Sequence, residues 1–137
     1  MIDARLGTAS ALSFLALFAA ASSACAFELN GAWATSVDQC EKVFAREGGR
    51  IGFTDMSEVY GGGFIVDGDQ LIGKFARCKV KARKDDGPNV NLVASCATDI
   101  MLSSVQFSVK ELDANSIARL FPGMEDMEIR YHRCPLP

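Results

Sequence analysis

Residues 74–98 read KFARCKVKARKDDGPNVNLVASCAT, and the fold turns on how they are read. In the first half Cys78, Val80 and Ala82 share one parity, while Arg77, Lys79, Lys81 and Arg83 share the other. Such strict alternation marks a strand with one buried and one wet face. Beyond the turn-forming DDGPN, the residues Val90, Leu92, Ala94 and Cys96 again keep one parity. Folding the two halves about Gly87 sets Ala82 opposite Leu92, Val80 opposite Ala94, and Cys78 opposite Cys96. Directly opposed side chains on one face have Cβ atoms about 4.5–5.5 Å apart, within reach of a disulfide.

Working outward, this pairing settles the covalent framework. The other cysteines are Cys25, Cys40 and Cys134. Cys25 falls in a leader: Arg5, an uncharged apolar run ALSFLALFAAA from Ala11 to Ala21, then Ala24-Cys25-Ala26. Weak positive end, short apolar core and small-x-small is the order of a cleavable secretory signal. The apolar run falls short of the roughly 20 residues a spanning helix needs, so no membrane span is expected. A lipoprotein signal also ends in a cysteine, but it carries a large aliphatic residue where Ser22 stands. Cleavage is therefore expected after Ala26, leaving 27–137 as a single domain in a periplasmic or secreted location. There, four cysteines read as two disulfides. Zinc sites gather cysteines in close pairs, and none of these is close to another, so no metal is expected. With Cys78 bonded to Cys96, Cys40 bonds Cys134 and ties the two ends of the domain together, as a closed barrel does.

The remaining segments are mainly β. Strands are expected around Gly31–Thr35, Arg50–Thr54, Gly63–Val66, Gln70–Arg83, Val90–Thr98, Val105–Leu112, Ser116–Phe121 and Met127–Cys134. Asp67-Gly68, Asp113-Ala114-Asn115 and the run from Phe121 to Asp126 supply turns. One short helix is expected over Val37–Arg46, with Ser36-x-x-Gln39 as a capping box and Gly48-Gly49 as its stop. About eight short strands joined by tight turns imply a small up-and-down antiparallel β-barrel.

Gly31-Ala32-Trp33 on the first strand of an exported β domain resembles the start of the lipocalin and calycin barrels. That resemblance implies a tryptophan packed across the closed end of a lipocalin-like barrel. The chain also resembles a family of small exported four-cysteine β proteins of Gram-negative bacteria, whose role is uncharacterised. Leu29-x-Gly31-x-Trp33 is similar as well to the opening of the lipocalin-like inhibitors of secreted bacterial metalloproteases. Those inhibitors act through a free segment ahead of the barrel, and only Phe27 and Glu28 stand between the expected cleavage site and Leu29.

Function is less determined. The inward candidates are Trp33, Phe53, Phe64, Phe75, Leu92, Phe107, Ile129 and Tyr131, bulky enough to fill an eight-stranded bore. Alternatively Trp33, Phe64, Phe107 and Tyr131 line a small apolar pocket, with Gly61-Gly62-Gly63 as its lip or, more simply, as a sharp bend. The stripe Arg77, Lys79, Lys81 and Arg83 is a candidate anion-binding face. The chain carries a net charge of −3, no aromatic side chains interleave the stripe as a base-stacking surface needs, and the exported compartment sets nucleic acid aside. Catalysis lacks its parts: His132 is the only histidine, no nucleophile-elbow or zinc-protease motif occurs, and Asp99 near Ser103 and Ser104 has no base to complete it. No cofactor is implied. The expected role is a non-enzymatic binding protein of the cell envelope whose partner is a protein or glycan. The alternatives are a lipocalin-like carrier of a small apolar ligand and a protease-inhibitor-like module.

Overall fold

The computed structural model describes residues 25–135, so the expected leader lies almost wholly outside the described residues. Its strands are β1 (Gly31–Ala34), β2 (Phe44–Glu47), β3 (Arg50–Phe53), β4 (Gly63–Asp67), β5 (Gln70–Ile72), β6 (Arg77–Asp86), β7 (Asn89–Ala97), β8 (Leu102–Asp113), β9 (Ser116–Leu120) and β10 (Glu128–Arg133). Eight of them close into an antiparallel barrel in the order β1-β10-β9-β8-β7-β6-β5-β4, and β2 and β3 form a separate hairpin. The seam pairs Trp33 with Arg133, joining the two ends of the chain. Both disulfides are present as the pattern implies, Cys40–Cys134 and Cys78–Cys96.

The barrel has the expected strand number but different members. The single strand expected over Gln70–Arg83 is two strands, β5 and β6, bent apart where the Gly73 N–H donates to the Ala76 carbonyl. The parity of the apolar residues reports this turn: Leu71 and Cys78 face each other across β5 and β6 and both enter the core, although one is odd and the other even. The strand expected at Arg50–Thr54 belongs to the hairpin rather than the barrel.

The one short helix expected after the first strand is present, but it ends at Val43 instead of running to Arg46. A 3₁₀ turn, Val37–Gln39, leads into one turn of α-helix, α1 (Cys40–Val43), and the chain then extends into β2. Ser36 makes no side-chain capping bond. Gly48 and Gly49 have φ of 57° and 80°, the two left-handed residues of a tight hairpin turn, so they fold β2 onto β3 instead of stopping a helix. Phe44 is buried, its ring 5.2 Å from that of Phe53, and burying that pair outweighs helix propensity at Ala45 and Arg46.

Two apolar clusters result. The bore holds Leu29, Trp33, Phe64, Val66, Leu71, Val90, Leu92, Phe107, Val109, Ile117 and Tyr131 with the Cys78–Cys96 bridge. Outside the wall, Ala32, Ala34 and Ile65 are covered by Val43, Phe44 and the Cys40–Cys134 bridge. Of the expected inward residues, Trp33, Phe64, Leu92, Phe107 and Tyr131 lie in the bore. Phe53 packs in the outer cluster, Ile129 is on the rim, and Phe75 sits in the β5–β6 turn, 72% exposed.

Gly61-Gly62-Gly63 makes a close approach rather than a lip. A Cβ on Gly63 would lie 2.6 Å from the Trp33 carbonyl oxygen and 2.8 Å from the Phe44 ring. Gly63→Ala is therefore expected to cost about 1–3 kcal/mol, the usual penalty for overpacking, read as a lowered midpoint in urea unfolding. An unchanged midpoint would show that β4 can move away from β1 without loss.

Candidate functional site: a closed bore and a cationic outer groove

The bore is filled by rings. Trp33 stacks on Phe64 at 6.4 Å between centroids, and Phe107 and Tyr131 meet Phe64 edge-on at 5.0 and 4.9 Å. Edge-to-face contacts at such spacings add stabilisation beyond the area buried.

Each end of the bore carries an arginine laid on aromatic rings. At the end where β1 begins, the segment Phe27–Asn30 crosses the opening. Trp33 Nε1 donates to the Leu29 carbonyl at 2.8 Å, and Leu29 is buried. The Arg133 guanidinium lies over the Trp33 ring at 4.3 Å and donates to the carbonyls of Glu28, at 2.6 Å, and Asn30. The Asn30 side-chain oxygen in turn accepts the Gly68 N–H at 2.9 Å. At the opposite end Arg119 lies between Phe107 and Phe121, 4.6 and 4.9 Å from their centroids. Sequence reading missed both arginines. Arg133 falls opposite Trp33 and Arg119 opposite Val109, so each shares the inward face, but a cation breaks the apolar parity that reveals such positions.

The expected cationic stripe is divided by a β-bulge. The register of β6 on β7 slips between Val80 and Ala82. Cys78 opposes Cys96 and Val80 opposes Ala94 as expected, but Ala82 opposes Val93, and Arg83 takes its place opposite the buried Leu92. A one-residue slip exchanges the two faces of a strand. Arg77, Lys79 and Lys81 therefore point outward, whereas Arg83 turns to the bore side. There it donates to the Phe27 carbonyl at 2.6 Å and pairs with Asp85 at 3.0 Å. Arg83 is a latch on the lid segment, and the anion-binding face loses it.

What remains of the stripe adjoins a groove of about 900 Å³ between the β2–β3 hairpin and the outer wall of β4 and β5. Ile65 and Ile72 lie along it, and Arg46, Arg50, Lys74 and Arg77 bring positive charge to its sides. Glu47, Asp67 and Asp99 are the acids on its lining. Among the described residues no ion pair engages Arg46, Arg50, Arg77 or Lys81, and Lys79 makes only an exposed 3.8 Å contact with Asp69. Exposed pairs of that kind contribute little, so these cations stay available to a ligand. A second concavity, of about 330 Å³, lies at the β7–β8 end beside Cys96 and Ser103. Trp33, Phe64, Phe107 and Tyr131, the residues proposed to line an apolar pocket, line neither concavity.

A cross-strand pair was also not foreseen: Ser116 Oγ lies 3.3 Å from His132 Nδ1. Among the described residues no carboxylate bonds to that imidazole, and the two residues are direct partners in the β9–β10 ladder, where such polar contacts are ordinary. Asp99 lies in the β7–β8 turn and Ser103 and Ser104 open β8, whereas the Ser116–His132 pair adjoins Asp113 at the other end of that strand. Among the described residues no three His, Cys, Asp or Glu side chains gather as a metal site would require, and no helix is long and apolar enough to cross a membrane. Comparison with protein-family models, with characterised proteins and with solved structures finds no match for the chain.

Proposed function

We propose that this chain is a non-enzymatic binding protein of the cell envelope that holds an anionic segment of a protein or glycan in the groove beside the β2–β3 hairpin. The observation that carries the reading is the groove itself, where Arg46, Arg50 and Arg77 lie without ionic partners and lead onto Lys79 and Lys81. Two disulfides suit the oxidising compartment this role requires. A bore packed with rings and crossed at one end by Phe27–Asn30 favours an outer-surface role over a carrier. Clustered cations raise the local concentration of an anionic partner and speed its capture, at a cost that rises with salt.

Immobilised protein is expected to retain an acidic polysaccharide such as polygalacturonate at low salt and to release it as salt rises. The combined change Arg46→Glu, Arg50→Glu, Lys79→Glu and Lys81→Glu is expected to weaken retention about tenfold or more, since each reversal replaces attraction with repulsion. Arg83→Gln is expected to leave it unchanged, because that side chain serves the lid. Retention that ignores both salt and the four reversals would remove the reading.

A further inference from the structure

The barrel end away from the lid carries a second feature, which adjoins the groove. The β5–β6 and β7–β8 turns are neighbours there, because Arg77 pairs with Ala97 and Ala97 with Leu102. Their tips present Phe75, Ile100, Met101 and Leu102, with Ile100 91% and Leu102 85% exposed. Met124 and Met127 in the β9–β10 turn continue the exposed apolar rim at the same end. Large apolar side chains held this far into water on adjacent turns are not needed by the core, which is complete without them.

We infer that these two turns dock the barrel on an anionic lipid surface. The shape is one argument. The side chains project as separate points from two turns instead of forming a flat patch, and a fluid interface can close around such points where a rigid protein surface would need matching pits. Charge is the other. Arg77 follows Phe75, with Lys79 and Lys81 beyond it on the outer face of β6, while the Lys74 ammonium donates to the Thr54 and Asp55 carbonyls. Asp99 is the one acid within these two turns, while Glu125 and Asp126 lie on the β9–β10 turn. The apolar tips and the cations thus coincide on the β5–β8 side, which leads, and the acidic turn trails. Insertion of the tips brings the cations to headgroup level, where each adds attraction to negative lipid. This inference does not rest on the groove as a binding site, although Lys74, Phe75, Arg77 and Asp99 also line the groove.

The test is flotation of the full chain with vesicles of phosphatidylcholine alone or mixed with phosphatidylglycerol. Binding is expected with the mixed vesicles only, and it should fall at least tenfold in Phe75→Ser/Ile100→Ser/Leu102→Ser. All three positions are exposed, so the variant should keep the wild-type unfolding midpoint. As a second measurement, Phe75→Trp should show a blue shift of its added emission on mixing with the anionic vesicles. Absence of flotation with either vesicle overturns the inference, and so does flotation that survives the triple change. Self-association lost in the triple variant, without vesicle binding, overturns it in favour of a second copy as the occupant. Ile100→Ser/Leu102→Ser alone changes no groove-lining residue and should lose flotation while keeping retention of an acidic polysaccharide, so the two readings fail separately.

Discussion

Replacing Cys40 and Cys134 together by serine is expected to cost the fold about 4–5 kcal/mol, against about 3 kcal/mol for replacing Cys78 and Cys96. The difference follows from the chain each bridge encloses, with a sequence separation of 94 for the first and 18 for the second. In the chain-entropy picture a longer loop restricts the unfolded ensemble more. The outer bridge also holds α1 against the seam, where the Cys134 N–H donates to the Ala32 carbonyl at 2.8 Å. Its loss would free the cover over Ala32, Ala34 and Ile65 as well. Against a total of roughly 5–15 kcal/mol for a domain of this kind, the outer double variant should be marginally stable. Urea unfolding of the two double variants, followed by far-ultraviolet circular dichroism, checks the ranking. An inner bridge that proves the costlier would show that β1 and β10 hold each other without a covalent tie.

Trp33→Ala is expected to cost about 3–5 kcal/mol, in the upper range for removing a fully buried aromatic ring. Trp33 is fully buried and contacts Phe64, Phe27 and the Arg133 guanidinium. Its removal leaves a void, strands the Leu29 carbonyl without its donor, and takes from Arg133 the ring it lies on. Trp33→Phe separates these contributions. A smaller ring remains for Phe64 and Arg133, but the Nε1 bond is lost, about 1 kcal/mol of the total, with a smaller packing loss added. The expected order of urea midpoints is wild type, Trp33→Phe, Trp33→Ala. Equal midpoints for the two variants would assign the whole effect to the hydrogen bond and none to packing.

Much of the fold was legible because two-residue periodicity is a direct consequence of strand geometry. The alternation around Cys78 and Cys96 located the central hairpin and both disulfides, and the closed antiparallel barrel followed. What was hidden depended on single-residue events. The slip between Val80 and Ala82 leaves the written pattern of β6 unbroken, since Arg83 continues the alternation while its side chain changes face. The turn at Gly73–Ala76 was signalled by a parity change between Leu71 and Cys78, but Phe75 between them imitates a buried residue. The hairpin after α1 was obscured because Ala45, Arg46 and Glu47 are good helix formers, and the contact that overrides them is tertiary. The groove could not be read at all. Arg46 and Arg50 approach Lys74 and Arg77 only once the hairpin leans on the barrel wall, and no spacing in the chain records that meeting.

The seam between β1 and β10 has a kinetic consequence. Seven of the eight barrel pairings join strands that follow one another closely along the chain or are parted only by the β2–β3 excursion, whereas the seam joins the first to the last. Loop-closure entropy makes that pairing the last to become favourable. Until it forms, the meander is an open sheet with two bare edges, the state in which a β protein most readily pairs with a neighbour instead of itself. Oxidation of Cys40 with Cys134 then acts as a clasp that is fastened after the sheet has curled, and it holds the closed barrel against reopening.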